Sequence, residues 1–142
     1  MSFKEITYTF ENLNLSGDFL YQVNGHHRDK NPNKSQWIVS PRDEVNVFVN
    51  SYNNRWFDDH DNDITFGLKV TNNKLEVLGT TVKKKNSKVA KFSLYSNIWH
   101  GYPADLLEKK DIPSTRILRE WRNSGYISKK QCSNIVQGRG VE

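Results

Sequence analysis

A single cysteine, Cys132, leaves the chain without an internal disulfide, so it is no disulfide scaffold and its expected setting is a reducing cytoplasm. Apolar runs are short. The longest are Trp37-Ile38-Val39 and Val47-Phe48-Val49, far below the roughly 18 residues of a membrane span, so no membrane partner is expected. The opening ten residues, Met1 to Phe10, lack the basic region and apolar core of a secretory leader. No glycine-rich phosphate loop, G-x-S-x-G elbow or kinase motif set occurs, which argues against the large enzyme superfamilies. The four histidines fall into no C-x-x-C or H-E-x-x-H ligand spacing.

What is present is an aromatic-rich chain of 142 residues with 7 Phe, 6 Tyr and 4 Trp. That supply of large apolar side chains suits one domain over residues 1–142 with a real core. Charge is unevenly spread. Residues 1–68 carry six Lys/Arg against ten Asp/Glu, residues 69–95 seven against one, and residues 96–142 eight against five. The net +5 is therefore concentrated in the middle of the chain, and a cationic side of this kind favours acidic partners.

Period-2 alternation dominates up to about Tyr95. It marks strands at Ile6–Phe10, Phe19–Val23, Val45–Val49 and Ile64–Thr71, then at 75–82 and 88–95. Asn72-Asn73 and Lys85-Asn86-Ser87 read as turns, so residues 64–95 are expected to form a three-strand meander. Asn24 to Ser35 and Asn53 to Asp63 interrupt the strands as long polar loops, where function often resides. After Tyr95 the period changes. Pro103 to Lys110 suits a short helix, Ser114 caps a second over 115–124, and Ser128 caps a third over 129–137. Ile117, Leu118, Trp121, Cys132, Ile135 and Val136 would face the core. The fold class is α+β: an antiparallel sheet of about five to seven strands, mainly within 1–95, with a helical segment in 96–142 packed on it.

Three constellations bear on chemistry. Lys83, Lys84, Lys85, Lys88 and Lys91 cluster ammonium groups about one hairpin tip, with Arg55, Trp56, Phe57 and Trp37 as stacking faces, the combination that binds single-stranded nucleic acid. Solvated lysines at a tip also simply guard sheet edges against aggregation. Asp59, Asp61 and Asp63 occupy positions 1, 3 and 5 of a calcium-type loop, but Ile64 and Val70 stand where glycine and glutamate are required; a looser divalent-metal site is the surviving form. His100, flanked by Trp99 and Tyr102, would act as a general base with Asp105 as its partner, or as a structural residue at a strand-to-helix corner. Cys132, on an apolar helix face, is an inert thiol. The 115–137 helix pair does not suit a DNA-reading helix-turn-helix, because Trp121 stands where that motif needs a small residue.

Trp99-His100-Gly101-Tyr102-Pro103, followed by Pro113, Leu118, Trp121, Gly125-Tyr126-Ile127 and Gly138, resembles the C-terminal pattern of small uncharacterised bacterial proteins of mobile elements, including integron cassettes. The resemblance covers about a third of the chain and implies a bacterial or phage origin, with no activity attached. The leading expectation is a non-enzymatic binding protein whose basic hairpin takes a nucleic-acid or other acidic partner. The alternatives are a small hydrolase or nuclease using His100 and Asp105 or a metal at 58–63, and a self-associating structural protein.

Overall fold

The computed structural model describes residues 6–10 and 19–141. The first residues of the leader reading, Met1 to Glu5, lie outside them, as do the side chains of Ile6, Tyr8, Phe10 and Phe19. The fold is α+β. Its main sheet has the order β1 (Ile6–Phe10), β2 (Phe19–Val23), β10 (Ile98–Pro103), β9 (Ala90–Tyr95) and β4 (Ile64–Gly67). Neighbours run antiparallel except β2 and β10, which pair in parallel through Ile98↔Leu20 and Trp99↔Tyr21. Parallel neighbours need a long crossover; here the intervening chain carries α1 (Pro41–Asn53) across one face. Among the described residues no helix is long and apolar enough to cross a membrane.

The 64–95 meander is subdivided. β4 pairs directly with β9, while the chain between them folds into the two-residue ladder of β5 (Val70–Thr71) with β6 (Lys74–Leu75). A three-stranded sheet follows, in which β7 (Gly79–Thr80) lies between β3 (Gln36–Trp37) and β8 (Asn86–Ser87). Gly79 is required there. A Cβ would stand 2.1 Å from the Gln36 carbonyl oxygen and 2.5 Å from Pro103.

Residues 45–49, expected as a strand, lie inside α1. Three local signals favour the helix: Ser40 Oγ accepts from the Asp43 amide at 3.1 Å, Pro41 opens the first turn, and Asp43 and Glu44 complement its N-terminal dipole. The buried set, Glu44, Val45, Val47, Phe48, Ser51 and Tyr52, follows the helical period. Two of its members are polar, so the valine alternation hid it. Phe48 meets Tyr21, Phe92 and Trp99 with ring centroids 5.0 to 5.3 Å apart, forming the core between helix and sheet.

A second core closes the end of the sheet where Gly67, Ala90 and Pro103 align across the register. The residues just outside those strand ends, Leu68, Val89 and Ala104, pack there with Trp56, Phe66 and the helices α2 (Thr115–Asn123) and α3 (Lys129–Val136). Ile117, Leu118, Trp121, Cys132 and Ile135 are buried as expected, whereas Val136 is 51% exposed. Val136 follows Ile135 directly and turns off the inner face of this eight-residue helix. No α-helix forms over 103–110. Pro103 is claimed by the ladder with Ala90, and Asp105 and Asp111 side chains take the Leu107 and Asp105 amides, ending in a 3₁₀ turn at Lys109–Asp111. Such side-chain-to-backbone bonds compete with helix formation.

The polar centre of the first core is Glu44, fully buried. Tyr21 donates to its Oε2 at 2.5 Å, and Arg28 donates to its Oε1 from Nη2 at 2.8 Å and Nε at 3.3 Å. Arg28 Nη1 also donates to the Val39 carbonyl at 2.7 Å. Burial lifts the Glu44 carboxyl from its ordinary 4.5 to about 7, against the lowering pull of Tyr21 and Arg28, and burial likewise pushes the Tyr21 phenol up. Since the folded-state value is raised, Glu44's contribution to stability is fully present below pH 4.5 and is lost as pH rises through about 7. Two outcomes follow for urea unfolding. Glu44→Ala should cost about 3–5 kcal/mol by taking the carboxylate away from the buried Arg28 charge, and Arg28→Met with Glu44→Leu should recover most of it. The penalty of Glu44→Gln should shrink as pH rises from 4.5 to 7; a penalty that grows over that range contradicts a raised Glu44 value.

Candidate binding cleft

The 24–35 segment carries no apolar residue besides Pro32, which is why its sequence reads as an exposed loop. It is instead ordered by polar contacts. The Asp29 and Asn31 side chains accept from the Asn31 and Asn33 amides at 2.9 Å, and Asn24 Oδ1 accepts from the His26 amide at 2.8 Å. Gln36 joins these turns: its Oε1 accepts from the Lys30 amide, and its Nε2 donates to the carbonyls of His26, Asn31 and Lys34. Arg28, held by Glu44, pins the base of the loop, and its guanidinium lies 6.0 Å over the Trp37 ring.

This loop, the β7–β8 turn and the segment after β10 enclose a cleft of about 530 Å³, within the range of small-ligand sites. Tyr102 and His27 stack at 5.6 Å and 17° and form part of its wall. His27 Nδ1 lies 2.8 Å from the Ser35 carbonyl oxygen, which can only accept, so Nδ1 carries the proton. Burial pushes the His27 imidazole below its ordinary range. Tyr102 donates to Asp111 Oδ1 at 2.6 Å, and Asp111 Oδ2 accepts from the Asp105 amide at 2.9 Å. Lys91 Nζ lies 3.6 Å from Asp111 Oδ1, so the acid, 2% exposed, is matched in charge and hydrogen bonding. Burial raises the Tyr102 phenol far above its usual range, and the bond to Asp111 adds to the rise.

Around this fixed floor stand Lys34, Lys83 and Lys110, drawn from three separate chain segments. Among the described residues none of the three forms an ion pair. Asp105 and Asp111 also line the cleft, but both carboxylates are committed to backbone amides; Glu108 is the remaining acid. With Asp111 neutralised by Lys91, the three lysines stand beside the carboxylates of Asp105 and Glu108, so the lining is of mixed charge with a small cationic excess.

The five-lysine cluster is divided. Lys83, Lys84 and Lys85 are exposed on the β7–β8 turn, with Lys84 at φ 61°. They diverge: Lys83 faces the cleft, Lys84 a neighbouring depression lined by Lys30 and Pro32, and Lys85 with Lys88 a groove beside Leu106. Lys91 lies apart, its side chain 12% exposed and bound to Asp111 and the Lys110 carbonyl, because its position on β9 turns it under the 3₁₀ segment. Arg55 is exposed at the end of α1, outside the cleft. Trp56, expected as a stacking face, is 2% exposed and packs edge-on against Trp121 at 5.5 Å; Trp37 is likewise buried. Both tryptophans serve the core.

His100 sits half-buried in the middle of β10, opposite Ser93, while Asp105 lies beyond the strand's end and spends Oδ1 on the Leu107 amide. Asp105 lines the cleft and His100 does not. The acidic loop is also divided. Asp59 accepts from Arg116 Nε at 2.7 Å, whose hydrogen bond holds its carboxyl below the usual range, and Asp61 Oδ1 accepts from the Asp63 amide. Among the described residues no group of three or more His, Cys, Asp or Glu side chains could hold a metal ion. Asp59 is thus engaged by Arg116 and Asp61 by the loop's own backbone, so Asp59, Asp61 and Asp63, expected as ligands of a divalent cation, do not form one ligand cluster.

Sequence reasoning missed Asp111, Tyr102, His27 and Lys34. The sequence around Asp111, Glu108-Lys109-Lys110-Asp111, reads as an ordinary solvated charge run, and the contact of Asp111 with Tyr102 depends on the strand register. Asp111→Ala should cost about 3 kcal/mol or more by stranding Lys91 and Tyr102, and Tyr102→Phe about 1 kcal/mol, measured by denaturant unfolding. Compared with known proteins, the chain matches no family model, no curated protein and no solved structure.

Proposed function

We propose that this protein is a non-enzymatic binding protein whose cationic face, centred on the β7–β8 turn, takes nucleic acid. The observation that carries the reading is a set of exposed lysines, Lys83, Lys84 and Lys85, that form no ion pair among the described residues and project on several sides of one turn. A defence against edge pairing does not need them unpaired beside a cleft that adds Lys34 and Lys110. Phosphate contacts of this kind release counterions and give affinity without sequence choice. With Trp37 and Trp56 buried, neither offers a stacking face, so the reading rests mainly on charge. Hydrolase or nuclease chemistry through His100 has less to support it, since its intended partner is engaged elsewhere.

The expected behaviour is strong salt dependence. Single-stranded DNA of mixed sequence should bind at low salt, and log K should fall linearly with log salt. Changing Lys83, Lys84 and Lys85 together to Ala should weaken binding and flatten the slope by about 2–3 units. Unfolding free energy should move by no more than about 0.5 kcal/mol, because the three side chains are solvated. Fluorescence anisotropy across a salt series is the measurement. Absence of binding to DNA and RNA at low salt would dispose of the reading.

A further inference from the structure

Three lysines line the cleft from three separate segments instead of forming a row, and they outnumber the two carboxylates beside them that form no ion pair among the described residues, Asp105 and Glu108. Lys34 comes from the loop pinned by Arg28, Lys83 from the β7–β8 turn, and Lys110 from the 3₁₀ turn over Asp111. A row of lysines suits a continuing phosphate backbone; a convergent set suits one concentrated anionic group. A terminal phosphate monoester carries about −1.5 to −2 charge near neutral pH, against one charge for each internal diester. The cleft volume of about 530 Å³ suits one small ligand and not a run of nucleotides. Its floor is held in place without a ligand, since Tyr102, Asp111, Lys91 and the Asp105 amide satisfy one another and the Ser35 carbonyl fixes His27. Little ordering then remains to be done on binding.

We propose that this cleft receives the phosphorylated end of a nucleic-acid strand: a terminal phosphate monoester between Lys34, Lys83 and Lys110, with its nucleotide against the Tyr102–His27 wall. The inference rests on the nucleic-acid reading above and assigns an end preference that the tip lysines alone would not produce. Lys84, which faces away from the cleft, contributes to the rest of the strand.

The test compares one short single-stranded DNA of fixed sequence in three forms, with a 5′-phosphate, a 3′-phosphate or hydroxyls at both ends, by anisotropy at low salt. At least one phosphorylated form should bind about tenfold tighter than the hydroxyl form, the scale of charge-assisted hydrogen bonds. Lys34→Ala with Lys110→Ala, both exposed positions, should abolish that ratio. Lys84→Ala should weaken all three forms and leave the ratio intact. A free nucleoside monophosphate should compete with the phosphorylated strand. Equal affinity for the three forms, or a ratio that survives in the Lys34/Lys110 variant, overturns the end preference while the nucleic-acid reading stands. Failure of all three forms to bind overturns both.

Discussion

The Glu44 carboxylate is the point on which the architecture turns. A fully buried acid costs far more than any single apolar contact returns unless every oxygen is satisfied. Here the satisfaction comes from two other parts of the chain: Tyr21 from β2 and Arg28 from the loop that follows it. One buried carboxyl thus fixes the seating of α1 on the sheet and the base of a twelve-residue polar segment, 24–35, that has almost no apolar surface with which to fix itself. The surrounding rings of Phe48, Phe92 and Trp99 exclude water and sharpen the requirement for pairing.

From that anchor the remaining features follow in order. Arg28 holds the loop, Gln36 ties its turns together, and His27 is brought against Tyr102. Tyr102 is fixed in turn by Asp111, the second buried acid, which Lys91 neutralises from β9. Two buried carboxylates, Glu44 at the base of the loop and Asp111 behind Tyr102, thus hold segments that line the cleft.

The parts legible in the sequence were those governed by local chemistry. Ser114, Gly125 and Ser128 marked α2 and α3 almost to the residue, since capping acts within one turn. Strands β2 and β9 followed from alternation against a one-sided core, whereas β4 is buried on both faces and stops at Gly67, short of the expected Thr71. The failures share a cause. In α1 the helical face includes Glu44 and Ser51, whose burial depends on distant partners, so its hydrophobic period was incomplete. Over 103–110 the helical pattern lost to a strand register and two aspartates that no local rule ranks. The cleft was illegible because its residues come from separated segments and are mostly polar. Trp56 shows the converse: a charged neighbourhood in sequence, a buried position in space.

The claim that a buried ion pair orders the polar loop is tested most directly by amide hydrogen exchange on Arg28→Met, compared with the parent protein under native conditions. The Lys30 and Asn33 amides, which donate to the Gln36 and Asn31 side chains, should lose their protection. The Asp105 amide, which donates to Asp111 across the cleft, should keep its protection. Unchanged protection at Lys30 and Asn33 would contradict the account, since the loop would then be ordered without the clamp.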